Sequence, residues 1–96
     1  MKHGDATRQR LLDEGLSMLA AEGLHSVTLR GLGLRTGRAH TNVVYYFGDL
    51  AGLRDAVAQH AIARQHMRAI ARLILDDHPR VAELTAAERA AALASV

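Results

Sequence analysis

The three aromatic residues of this chain are consecutive, at Tyr45, Tyr46 and Phe47. They lie at the end of a segment, residues 23–48, that contains no aspartate or glutamate. The same segment carries five arginine and histidine side chains: His25, Arg30, Arg35, Arg38 and His40. A surface that faces phosphate selects this combination, because acidic groups would repel the ligand while arginine and tyrosine donate hydrogen bonds to its oxygens. This segment is therefore predicted to carry the function.

Length and composition limit the classes of function. Ninety-six residues form one domain, or one and part of another, and are too few for a roomy catalytic cleft. The net charge is only +2, so the basic signal is local to one segment rather than spread over the chain. The absence of cysteine, of a signal peptide and of a long apolar run predicts a cytoplasmic protein without disulfides or a membrane span.

Catalytic and metal-binding chemistry finds no support in the residue pattern. No Ser/His/Asp grouping and no paired carboxylates stand at a useful spacing. His60 and His66 are six residues apart, which places them on different faces of a helix, and neither has a carboxylate at ligand spacing. The histidines are interpreted as surface groups. We expect neither an enzyme nor a bound metal or cofactor.

The elements that must position the phosphate-facing residues are helices. Alanine, leucine, arginine and glutamate favour helix, so the fold class is predicted to be all-α. Apolar residues at helical spacing predict a first helix over residues 7–21, closed by Gly23. A second helix is predicted over residues 29–36, with Thr28 as its N-cap and Gly37 in the turn that ends it.

A third helix is predicted over residues 40–47. Val43 and Phe47 are four residues apart and share one face, which we expect to point inward. The opposite face is polar and carries Thr41, Asn42 and Tyr45.

The second half of the chain is predicted to be helical as well. Asp49 is expected to cap one long fourth helix, which ends at residues 76–79 with two aspartates and the only proline. Thr85 and Glu88 have capping-box spacing and predict a last helix that runs to Val96.

Two short helices joined by a glycine turn, with a polar outer face on the second, are typical of a helix-turn-helix. Such a unit needs a small residue where the helices cross, a glycine at the turn and an apolar anchor in the second helix. Gly33, Gly37 and Val43 stand at those spacings.

The segment resembles the N-terminal domain of the tetracycline-repressor (TetR) family of transcriptional regulators. The resemblance covers about residues 7–60 and is carried by residues 7–14, 21–23, 27–30, Gly37, 45–49 and Leu53. It implies a three-helix DNA-binding domain over residues 5–48. Residues 49–96 would then hold a connecting helix and the truncated start of a helical effector and dimerisation domain. It further implies a transcriptional regulator, most often a repressor, that forms a homodimer and responds to a small-molecule effector whose pocket is mostly absent here.

Several positions depart from the family pattern, among them Gly31 and Gly33, which replace residues that would make the second helix firmer. Leu50 stands where such proteins usually carry a lysine, which removes one expected phosphate contact. Val44 replaces the first of the tyrosines often seen in the recognition helix, and Arg38 occupies a position that is normally apolar.

Resemblance and helical geometry together predict the residues that contact double-stranded DNA. Five side chains are expected to face base edges: Arg38, His40, Thr41, Asn42 and Tyr45. Asparagine pairs bidentately with adenine and arginine with guanine, which suits the major groove. Thr28 and Tyr46 are expected at phosphates. Structural interpretations stay open, because Thr28 also caps a helix, Arg38 could lie along the surface, and Tyr46 could pack on the core.

Two other functions remain possible at this point. Residues 27–37 could form a strand and a glycine-rich phosphate loop, with Asp55 at a ribose, although the downstream sequence is helical. Alternatively, the chain is a truncated regulator impaired in DNA binding that acts as a helical protein-interaction module. Its fourth helix would then pack against a partner through Ala61, Ala69 and Ala71.

Overall fold

The computed structural model describes residues 3–96, with side chains from Asp5 onward. Every regular element within residues 3–96 is helical, so the prediction of an all-α protein is confirmed. In chain order the elements are α1 (His3–Glu22), a first 3₁₀ helix (Leu24–Ser26), α2 (Leu29–Thr36), α3 (His40–Phe47), α4 (Leu50–Ala63), α5 (Met67–Leu75), a second 3₁₀ helix (Pro79–Glu83) and α6 (Ala86–Ala94). The strand that a dinucleotide site would need at residues 27–30 is absent from this range, because the chain enters α2 there.

Side chains that cap helix starts, predicted from the sequence, are observed in the structure. The Thr28 hydroxyl accepts a hydrogen bond from the Gly31 amide at 3.0 Å, and the Asp49 carboxylate accepts one from the Gly52 amide at 2.7 Å. These side chains satisfy amides that have no partner within their own helix. Both α2 and α3 have the predicted bounds, whereas α1 begins at His3 rather than at residue 7.

The capping box predicted for the last helix is also present. The Thr85 hydroxyl accepts from the Glu88 amide at 3.1 Å, and the Glu88 carboxylate accepts from the Thr85 amide at 2.8 Å. The hydrogen bond from the Thr85 amide lowers the pKa of Glu88, because it stabilises the charged carboxylate. The helix ends at Ala94, two residues before the predicted end at Val96.

The single long fourth helix is a wrong prediction, since α4 and α5 are separate helices. Gln65 adopts the left-handed conformation with φ 50°. The amides of Gln65 and His66 bond back to the carbonyls of Ile62 and Ala61, each at 3.0 Å, which closes α4 in a Schellman motif. His66 then caps α5, as its Nδ1 accepts from the Ala69 amide at 3.2 Å.

The core is one cluster of apolar side chains centred on α1. Leu11 and Leu19 of α1 are fully buried, together with Leu53 of α4 and Ile70 of α5. α4 comes close to α1 at Gly15, where a Cβ atom would lie 2.7 Å from Cγ2 of Val57. Residues on both sides of position 48 therefore share one core.

The alanines expected to meet a partner helix are part of this core. Ala61, Ala69 and Ala71 are fully buried within the chain itself, so that expectation is wrong. No helix in the described part of the chain is both long enough and apolar enough to span a membrane.

Candidate nucleic-acid interface

A tight connection of three residues joins α2 to α3. Gly37 ends α2 with φ 69° and ψ 27°, a conformation that glycine adopts without the strain a side chain would bring. The next amide, that of Arg38, bonds back to the Gly33 carbonyl at 2.8 Å. A Cβ atom on residue 33 would lie 2.7 Å from the Arg38 carbonyl oxygen, so the connection can cross α2 only at a glycine.

The inward face of α3 anchors that helix to the core. Val43 is fully buried and Phe47 is nearly so, as expected from their spacing. Successive residues of a helix are turned by about 100°, which directs Thr41 and Tyr45 away from this anchor. Both are exposed, and Tyr45 has 81% of its surface accessible. α3 therefore has a fixed face and an open face.

Tyr46 supports the outward tyrosine. The rings of Tyr45 and Tyr46 meet edge to face, with centroids 5.1 Å apart and an angle of 89° between the planes. Tyr46 is half-buried and packs against the core, and its centroid lies 6.5 Å from that of Phe47. An edge-to-face contact is a favoured aromatic geometry, so it restrains the orientation of the exposed ring.

Arg38 contacts both Asn42 of α3 and Thr7 of α1. The Arg38 guanidinium donates to the Asn42 amide oxygen at 3.4 Å and to the Thr7 hydroxyl at 3.5 Å. Its Nε is buried without a hydrogen-bond partner among residues 5–96. These distances are at the long end of the hydrogen-bond range, so the two side chains form a loose pair that a better acceptor could rearrange.

The first turn of α3 is open. His40 is its first residue and is exposed, although by helical angle it lies nearer the buried face. The N-cap position is Ala39, which has no side-chain oxygen to accept a hydrogen bond from the following amides. Uncapped amides carry the positive end of the helix dipole and favour an anion.

In the folded chain, an acidic side chain of α1 contacts the segment of residues 23–48, which has no acidic residue of its own. Arg35 on α2 forms an ion pair with Glu14 on α1, with 3.2 Å between Nε and Oε2. Arg30 is exposed on the same helix. Glu14 precedes Arg35 by 21 residues, so only the packing of α1 on α2 reveals this contact.

Two further arginines touch the surface elements and were missed by sequence reasoning. The Arg8 guanidinium carbon lies 5.4 Å from the centre of the Phe47 ring, a cation–π distance. Arg54 on α4 donates to the carbonyl oxygens of Val27 and His25, at 3.0 and 3.3 Å. No local motif marks either residue, because both contacts join distant parts of the chain. Leu50, where a lysine was expected, begins α4 and is 36% exposed.

The histidines are not simply surface groups, which corrects the sequence interpretation for three of them. His60 lies mostly buried between α1 and α4, with its Nε2 2.8 Å from Oδ1 of Asp13. This hydrogen bond lowers the pKa of Asp13 below its usual value. His66 and His78 accept backbone hydrogen bonds at helix starts. Within residues 5–96 no three side chains of the metal-ligating types are grouped as a site.

The chain was compared with protein families, curated proteins and solved structures. No protein-family model, no curated protein and no solved structure matches the chain.

Proposed function

We propose that this chain is a sequence-specific DNA-binding transcriptional regulator, and specifically a repressor of the tetracycline-repressor type. In this proposal α2 and α3 form a helix-turn-helix, and α3 enters the major groove. The observation that carries it is the two-sided character of α3. Val43 and Phe47 hold one face in the core, while Thr41 and Tyr45 stand exposed on the other. A helix of eight residues is about 12 Å long, similar to the width of the major groove.

The side chains divide into base readers and phosphate contacts. His40, Thr41 and Tyr45 are exposed, and in this proposal they contact bases without rearrangement. Arg38 and Asn42 read bases after exchanging their bond of 3.4 Å for bonds to guanine or adenine. Phosphates are held by the Thr28 hydroxyl, which still has a proton to donate, and by the Tyr46 hydroxyl. The acid-free composition of residues 23–48 favours these contacts.

A homodimer completes the proposal. One helix-turn-helix makes too few contacts for tight and selective binding, so two copies would read half-sites about one helical turn apart. The operator would then be palindromic. A small-molecule effector is a further partner that the resemblance implies.

A second function is favoured by a specific observation, namely apolar side chains exposed on α5 and α6 and at the residue that follows the α6 C-cap. Leu75, Leu93 and Val96 are all exposed, and Leu75 has 65% of its surface accessible. In this alternative the chain binds DNA poorly and pairs with another helical protein through these residues. Salt separates the two functions, because DNA binding weakens steeply as salt rises and an apolar helix interface does not.

Selection from random DNA duplexes tests the main proposal. The wild-type chain should enrich one palindromic motif, and Asn42→Ala or His40→Ala should change the preferred base at one position of each half-site. Thr28→Val should weaken binding to all sequences alike, since a phosphate contact carries no sequence information. Thr85→Val is the matched control, because it removes the N-cap of α6 and leaves the α2–α3 surface intact. Enrichment of no motif by the wild-type chain would contradict the proposal.

A further inference from the structure

The connection from α1 to α2 is fastened by a side chain of α4. Arg54 donates from Nε to the Val27 carbonyl at 3.0 Å and from Nη2 to the His25 carbonyl at 3.3 Å. Val27 immediately precedes Thr28, the cap of α2. A planar guanidinium that binds two carbonyls fixes their relative orientation, and with it the direction in which the chain enters α2.

Charged side chains from α5 hold the same connection at its beginning. The Asp76 carboxylate, at the end of α5, accepts from the Leu24 amide at 2.8 Å. The Arg72 guanidinium donates to the Ala21 carbonyl at 3.1 Å. Residues 21–27 are therefore held by polar contacts from two helices that lie outside the proposed helix-turn-helix.

These contacts place the start of α2 relative to the rest of the molecule. Inside the connection, the Ser26 hydroxyl donates to the nearby carbonyls of Gly23 and Met18, at 2.7 and 3.1 Å. Those bonds shape the turn locally, whereas Arg54 ties it to α4. The Arg54 side chain is half-buried and already engaged with backbone oxygens, which distinguishes it from an arginine free to reach a phosphate.

We propose that Arg54 is a positioning residue for DNA binding, which holds the start of α2, with Thr28, in the orientation that meets a phosphate. This inference rests on the proposed function. It assigns Arg54 no contact with DNA, so its removal should weaken binding to all sequences without changing the number of phosphates that are neutralised. Asp76 has the same role through the Leu24 amide.

The salt dependence of DNA affinity tests Arg54. Arg54→Met should weaken binding to every duplex by about tenfold, the scale of a lost charge-assisted hydrogen bond. The slope of log affinity against log salt should stay unchanged, whereas loss of a phosphate contact would reduce it by about one. Arg54→Lys should restore part of the affinity. Arg68→Met, which removes an exposed charge from α5, is the control and should have little effect.

Asp76 gives an independent test, because its substitution removes a negative charge whereas Arg54→Met removes a positive one. Removing a negative charge would strengthen DNA binding if charge alone mattered. Asp76→Ala should nevertheless weaken DNA binding, because the Leu24 amide loses its acceptor. Asp76→Asn should keep the wild-type affinity, because the asparagine amide oxygen can still accept from the Leu24 amide. Stronger binding by Asp76→Ala would overturn this part of the proposal.

Amide hydrogen exchange without DNA separates failure of this inference from failure of the proposed function. Arg54→Met should speed exchange at the Gly31 and Leu32 amides, which bond to Thr28. Unchanged exchange, unchanged DNA affinity or a salt slope reduced by one would each overturn the positioning role. If the wild-type chain binds no duplex, the proposed function fails and exchange alone decides whether Arg54 orders the start of α2. Circular dichroism of Arg54→Met and Arg54→Lys identifies loss of the fold.

Discussion

Gly33 and Arg38 meet backbone to backbone at the crossing of the α2–α3 connection. The Arg38 amide donates to the Gly33 carbonyl at 2.8 Å, and a Cβ atom on residue 33 would lie 2.7 Å from the Arg38 carbonyl oxygen. A side chain could rotate away from such a contact, but a backbone oxygen cannot. This pair therefore fixes the angle between α2 and α3, on which any use of the exposed face of α3 depends.

Gly33→Ala should lower the free energy of unfolding by about 1–3 kcal/mol, the usual cost of overpacking a tight site. Alanine favours helix over glycine by about 1 kcal/mol, which opposes this loss. The measured change in the free energy of unfolding is therefore the steric cost minus that gain. Urea denaturation followed by circular dichroism gives the value. Leu34→Ala is the control, because Leu34 is the next residue and is 79% exposed. A Gly33→Ala variant as stable as the wild type would show that the connection moves without cost.

Leu50→Lys should strengthen DNA binding and steepen its dependence on salt by about one ion. Leu50 is the first residue of α4 and is exposed, so a lysine there reaches solvent without disturbing the core. Affinity measured over a salt series with one duplex provides both values.

Leu75→Lys is the matched control for Leu50→Lys. It adds the same charge at an exposed leucine at the end of α5. Equal effects of the two variants would indicate general attraction to DNA rather than a contact at the start of α4. No effect of Leu50→Lys would contradict the resemblance across the turn.

Local signals explain how much of the fold could be predicted. The bounds of α2 and the start of α4 follow from Thr28, Gly37 and Asp49, whose capping chemistry acts within a few residues of the helix ends. The two faces of α3 follow from helical spacing alone. These features need no knowledge of what packs where.

What could not be predicted depends on contacts between distant residues or on an unusual residue in a common motif. The end of α4 uses Gln65 where glycine is the usual signal, so the sequence showed no break. The contacts of Arg54 with Val27 and of Arg35 with Glu14 join different helices, and no spacing rule relates them. Arg38 and Asn42 are four residues apart, so their contact could be expected from helical spacing. The contact of Arg38 with Thr7 depends on where α1 lies.

Asp77→Gly should raise the free energy of unfolding by about 0.5–1 kcal/mol, because a non-glycine residue is strained in the left-handed region. Asp77 has φ 54° and closes α5 in a Schellman motif, with the His78 amide bonded to the Leu73 carbonyl at 3.0 Å. Gly37→Ala is the reverse change at the end of α2 and should lower stability by about 1 kcal/mol. Thermal unfolding of both variants checks the signs, and equal signs would contradict this explanation of the helix ends.

His78 should make the protein less stable as the pH falls from about 7.5 to about 5. Burial lowers the pKa of His78 from its ordinary value of 6.5, because the charged ring loses hydration, and the neighbouring charge of Asp55 offsets this only in part. Below pH 6.5 the unfolded chain therefore binds more protons than the folded one, so stability present above this value is lost as the pH falls through it. His78→Asn removes the titration yet keeps an acceptor for the Arg80 amide, which now bonds to Nδ1 at 3.1 Å. Urea denaturation over this pH range should give a flatter profile for His78→Asn than for the wild type. Because the two proteins differ only at residue 78, the difference between the two profiles isolates His78, and parallel profiles would show that its burial does not disfavour the charged ring.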